Sequence, residues 1–121
     1  MENNSNKQAI HNFANEWLKK FQADKRQVWQ IFDDVKFSDE CFKLGFQMDC
    51  GNSFTEQYGQ EALSDLEKLQ GIIDNVTDIQ LIGNALFSQW RYFNHWSYSP
   101  PEAKDIKWFV ILFLKLKELT K

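Results

Sequence analysis

Thr77, Gln80, Asn84, Ser88, Arg91 and His95 recur at intervals of three and four residues. At about 100° per residue this spacing sets all six on one face of an α-helix. The composition of that face is unusual. A solvated helix surface normally mixes Lys with Glu, whereas this one holds amides, hydroxyls, one guanidinium and one imidazole, groups suited to fixed hydrogen bonding. Arg91 can present a planar fork to a carboxylate or phosphate. His95 can exchange a proton near neutrality. Asn84, Ser88, Arg91 and His95 are therefore the candidates for a ligand or catalytic pocket. Asp49 and Cys50 are loop residues that the fold could bring to it, the latter as a Cys50–His95 dyad. Against catalysis, no nucleophile is visibly paired with a base, and the strained Gly-x-Ser-x-Gly turn that activates a serine is absent. The plainer alternative pairs Arg91 with an acidic residue and leaves His95 to cap the helix end, where a cation suits the dipole.

The element carrying this face is an amphipathic helix over residues 77–96, with Ile79, Ile82, Leu86, Trp90 and Phe93 on the opposite arc. Thr77 with Gln80 three residues on reads as a capping box at its start. Tyr92, Trp96 and Tyr98 crowd its far end off the apolar arc, as partner anchors or as packing for the loop closed by Pro100 and Pro101. A first helix is marked by Ile10, Phe13, Ala14, Trp17, Leu18 and Phe21. The chain's other histidine, His11, lies beside that apolar face and reads as structural. Residues 1–8 are polar and aperiodic, a leader expected to fray. Val28, Ile31, Phe32 and Val35 suggest a second helix from near Asp24, a residue able to cap it.

Residues 36–60 carry conflicting signals. Phe42, Leu44, Phe46 and Met48 alternate with polar residues in the period of a strand. Ser38-Asp39-Glu40 resembles a helix start, however, and no second alternating run exists to pair with a strand. A helix is favoured, with a short hairpin around residues 40–50 as the alternative. Asp49-Cys50-Gly51-Asn52 breaks it, and Ser53 with Glu56 can cap a short turn ending at Gly59. A long helix is expected from Glu61 to Asn75, and a last one from Glu102, its centre, residues 108–114, apolar all round. The reading is all-α, a bundle of about five helices, with residues 9–121 as one domain. A chain of 121 residues can bury roughly two thirds of its unfolded surface. Five Trp and eleven Phe supply much of the core.

Charge is distributed unevenly about a net of −3. Residues 1–32 hold five basic and three acidic side chains, residues 33–78 three and eleven, and residues 79–121 six and three. The acidic middle points either to carboxylates placed at helix starts or to a patch that meets a basic partner. Nucleic-acid binding through the basic ends and the aromatics is a weaker alternative, because overall charge does not favour it. The longest apolar run, seven residues, falls far short of the about 20 that span a bilayer. Cys41 and Cys50 match no zinc pattern and read as reduced thiols of a cytoplasmic protein, although their spacing permits a disulfide. No cofactor or metal is expected.

At Met48-Asp49-Cys50-Gly51-Asn52-Ser53-Phe54, and along residues 83–96, the chain resembles small uncharacterised proteins of bacteria and their mobile elements. The resemblance touches the second half of the chain. It implies a bacterial or phage-related cytoplasmic setting and no mechanism. Together these readings favour a small non-enzymatic protein-binding module, accessory or inhibitor-like, whose apolar last helix could also hold a second copy.

Overall fold

The apolar spacing of the first helix is realised in α1, Glu2–Phe21, in which Ile10, Phe13, Ala14, Trp17, Leu18 and Phe21 are all buried. The computed structural model describes residues 2–23, 35–47, 53–59, 61–93 and 102–121. Within them the backbone is helical from Glu2, so the polar leader expected to fray is continuous with α1. Most of the expected second helix lies outside the described residues. Its last member, Val35, begins α2, Val35–Lys43, and is 68% exposed instead of sharing an apolar face.

The conflict over residues 36–60 resolves in favour of helix at its start. In α2 the buried residues are Phe37 and Cys41, one turn apart. The period-two alternation comes from how α2 ends. Gly45, at φ +84°, turns the chain in the left-handed region where a side chain would be strained. Its N–H donates to the Phe42 carbonyl at 3.1 Å, and the Phe46 N–H donates to the Cys41 carbonyl at 2.9 Å. This pair of bonds closes the helix and returns Phe46 to the core beside Cys41. Phe42, in phase with Phe46 by sequence parity, is left 63% exposed, so the hairpin alternative is not what forms.

Next come α3, Ser53–Tyr58, ended as expected at Gly59, and a correction to the helix expected over 61–75. That helix is two: α4, Glu61–Ser64, and α5, Leu66–Ile73. Asp65 interrupts them with extended backbone, and its carboxylate accepts the N–H groups of Glu67 and Lys68 at 3.1 and 3.2 Å. An aspartate in this role restarts a helix by satisfying donors that have no earlier carbonyl. The following helix, α6, Ile79–Arg91, is likewise capped by Asp78, which accepts the Leu81 N–H at 3.2 Å. The expected Thr77–Gln80 capping box does not form, since the Gln80 amide is committed elsewhere. The last helix, α7, Ala103–Leu119, starts where expected, the Asp105 carboxylate accepting the Glu102 N–H at 2.8 Å.

The all-α bundle is organised around α7, which packs on α1, α5 and α6. Phe109 stacks on Phe21 at 4.8 Å, and Phe113 meets both Phe13 and Phe37 edge-on. Phe37 in turn stacks on Trp90 of α6 at 5.4 Å. Polar groups of α7 tie its neighbours down: Trp108 Nε1 donates to the Ala62 carbonyl at 2.9 Å, and Lys115 Nζ reaches the Asp74 carbonyl at 3.4 Å. The latter places a buried cation at the C-terminal end of α5, where the dipole favours it. Thr120 Oγ1 donates to the Leu116 carbonyl at 2.7 Å and lies within hydrogen-bonding distance of His11 Nδ1, at 3.2 Å. His11 therefore has the structural role expected of it. No helix among the described residues is long and apolar enough to cross a membrane.

Candidate functional site

The polar face of α6 is positioned by burial of everything around it. Ile82, Gly83, Ala85, Leu86, Phe87 and Trp90 are buried, a far wider arc than the apolar stripe alone. The remaining face carries Gln80, exposed, with Asn84, Ser88 and Arg91 half-buried.

The first half of this face is a clamp on the chain that follows α2. Gln80 Nε2 donates to the Gly45 carbonyl at 2.9 Å and to Asn84 Oδ1 at 2.8 Å. Asn84 Oδ1 also accepts the Gln47 backbone N–H at 2.7 Å. Between these bonds the Phe46 ring lies directly on Gly83, where a Cβ would fall 2.1 Å from Phe46 Cε1. The two amides therefore satisfy the backbone of a turn whose aromatic side chain has been driven into the core. Fixed hydrogen bonding, inferred from the absence of Lys and Glu, is what Gln80 and Asn84 provide, with the acceptor and donor supplied by the protein itself.

The second half is less enclosed. Ser88 also has an interaction partner within the molecule. Arg91 is half-buried at the last turn of α6 with no ion pair among the described residues. Tyr92 follows it, 47% exposed, its ring edge-on to Phe93 at 5.2 Å. Asp49, Cys50, His95, Trp96 and Tyr98 lie outside the described residues. The structure thus brings Asn84 together with Gln80, Gly45 and Gln47, and gives no geometry for the Arg91–His95 pair.

Two features escaped sequence reasoning. The first is the contact between Gly83 and Phe46, whose only signal was a glycine inside a strong helical pattern. The second is an open groove of about 490 Å³ between α3 and α5, lined by Tyr58, Lys68, Gly71, Ile72 and Asn75. Lys68, Gly71, Ile72 and Asn75 follow helical spacing and could have been read as one stripe, but Tyr58 joins them only through the fold. Lys68 is ion-paired with Glu61, a hydrogen bond that raises its pKa.

The acidic middle of the chain divides its work. Asp65 and Asp78 are caps, and Glu56, Glu61 and Glu67 occupy first turns, as helix dipoles favour. All five, with Asp74, nevertheless remain exposed. At the seam of α1 and α2, Glu16 accepts a hydrogen bond from Lys36 at 2.8 Å and lies 3.4 Å from Lys20. Burial there raises the pKa of the Glu16 carboxyl, but the bond and charge of Lys36, with Lys20 behind it, outweigh this and hold it below the ordinary value. Cys41 is a free thiol, wholly buried, and burial together with the neighbouring Glu40 charge pushes its pKa well above the ordinary thiol range. It is an inert core residue. Comparison with protein-family models, curated proteins and solved structures finds no match to the chain.

Proposed function

We propose that the chain is a non-enzymatic protein-binding module, accessory or inhibitor-like, whose acidic middle segment receives a basic partner. The observation that carries this reading is the exposure of Glu56, Glu61, Asp65, Glu67, Asp74 and Asp78 along a stretch with Lys68 as its one cation. Capping alone would account for Asp65 and Asp78. It does not account for Asp74, at the C-cap of α5, whose carboxylate accepts from Gln70 Nε2 at 2.9 Å and stays exposed. The groove beside Tyr58 and Ile72 gives the same surface an apolar centre, the arrangement in which charge at the rim selects a partner and burial at the centre holds it. The spending of Gln80 and Asn84 on internal bonds supports binding over a pocket on the α6 face.

The test is capture from a bacterial lysate on immobilised protein, compared with E67K/D74K, neither of whose carboxylates is an N-cap. A specific protein retained by the wild type, released by moderate salt and lost in the variant is the expected result. Retention that survives both salt and charge reversal overturns the proposal, as does the absence of any specific partner.

A further inference from the structure

Gly71 lies within α5 without a reason inside the fold. Glycine weakens a helix relative to alanine. Gly45 and Gly59 turn the chain at positive φ, and Gly83 makes room for the Phe46 ring. Gly71 does neither: it is a helical residue, and a Cβ built there would have no described atom within 4 Å. The space it leaves open belongs to the groove that Tyr58, Lys68, Ile72 and Asn75 also line. A bare helix backbone facing outward lets another molecule approach it closely.

The wheel of α5 shows which way that space opens. At about 100° per residue the surface runs from Ile72 through Lys68 and Asn75 to Gly71, and then to Glu67 and Asp74 at the outer edge. Gly71 is thus a gap between the groove and two carboxylates, one a turn before it and one a turn after. Asn75 is drawn back along the helix, its amide donating to the Gly71 carbonyl at 3.1 Å. Glu67 and Asp74 are exposed and have no ion pair among the described residues. Asp74 accepts from the neutral Gln70 amide at 2.9 Å, while Lys115 meets only its backbone carbonyl and pairs with Glu118. Lys68, the cation of the groove, is taken up by Glu61. An apolar floor that opens across bare backbone onto negative charge fits a cation carried beside an apolar group.

We propose that this groove is where the acidic segment holds its partner, and that the partner enters as a peptide segment with a Lys or Arg beside an apolar side chain. The apolar side chain lies against Tyr58 and Ile72, and the backbone crosses α5 at Gly71, bringing the cation to Glu67 and Asp74. The inference rests on the reading of the acidic segment as a binding surface and names the residue that admits the partner.

G71A and G71L test it, because both replacements are better helix formers than glycine and the larger one fills the gap. A random dodecapeptide library displayed on phage is selected on the immobilised full chain, and the enriched peptides are synthesised and titrated by fluorescence anisotropy. They should carry Lys or Arg close to an apolar residue and bind more weakly as salt is raised. Their affinity should fall from wild type to G71A to G71L, by about tenfold or more at G71L, while both variants melt above the wild type. These opposite signs separate lost binding from lost folding, and G71A alone carries the comparison should G71L not fold. A library that yields no binder overturns the proposal, as does an acidic or uncharged consensus, or an affinity that filling the gap leaves unchanged. A wild-type dimer in sedimentation velocity that G71L abolishes also overturns it, in favour of a second copy as the occupant. The two proposals fail separately: peptides released by E67K/D74K but retained by G71L remove the groove and leave the acidic segment as the binding surface.

Discussion

Gly83 shows how a single atom can decide the local structure. A methyl group there would meet the Phe46 ring far inside van der Waals contact, and the ring is itself buried, edge-on to Phe13 of α1. Alanine is normally preferred to glycine in a helix by about 1 kcal/mol. Here the overlap outweighs that preference, so G83A is expected to destabilise the protein by about 2 kcal/mol in urea denaturation. Removing the ring should remove the conflict: in F46A, which is itself costly, adding G83A should be neutral or stabilising. Strict additivity of the two changes would show that Gly83 and Phe46 do not share this contact. The same reasoning bears on the polar face of α6. Gln80 and Asn84 are placed to satisfy Gly45 and Gln47 on either side of Phe46, so their chemistry belongs to the clamp.

At the scale of elements, α1 and α2 are joined by a chain of charge, Lys20 to Glu16 to Lys36 to Glu40, ending at Trp17 Nε1, which donates to Glu40 Oε2 at 2.5 Å. Lys20 also lies 4.0 Å above the Trp17 ring. Because the Glu16 pKa is lowered on folding, the carboxylate contributes stability at pH values above its ordinary unfolded pKa, and that contribution is lost as pH falls through the lower folded value. With about a third of the side chain exposed, the contribution is modest, roughly 0.5 kcal/mol. E16Q should therefore be less stable than the wild type at neutral pH, with the difference vanishing below the folded pKa. Parallel urea titrations across that range measure it, and a difference that persists or grows on acidification would show the sign to be wrong. The broken helix at Asp65 is an element-scale event of the same kind, one carboxylate ending the register of α4 and starting that of α5.

For the whole molecule, α7 is the axis. Neighbouring residues on it have opposite fates: Phe113 is fully buried among Phe13, Phe21 and Phe37, while Leu114 is half exposed. F113A should cost about 3–5 kcal/mol, much of the stability of a domain this size. L114A should stay within about 0.5 kcal/mol in the monomer. Thermal melts of the two variants side by side check the contrast, and comparable losses would place α7 differently.

Spacing alone was enough to determine the helical class, the buried face of α1, the amphipathic character of α6 and the start of α7 after Glu102, because these follow from periodicity and capping within one segment. The short turn ending at Gly59 was legible for the same reason. The break at Asp65, the shift of the α6 cap from Thr77 to Asp78 and the exposure of Val35 and Phe42 were not. The caps at Asp65 and Asp78 are local signals that the apolar periodicity masked, whereas the rest depends on which neighbour a side chain meets: Gln80 left its capping box because a carbonyl at Gly45 was within reach, and Phe46 was buried because Gly83 left room for it. The six polar residues from Thr77 to His95 were visible as a set from the sequence. Only the tertiary structure decided that Gln80 and Asn84 bind the protein's own backbone, since the groups they satisfy lie more than thirty residues away.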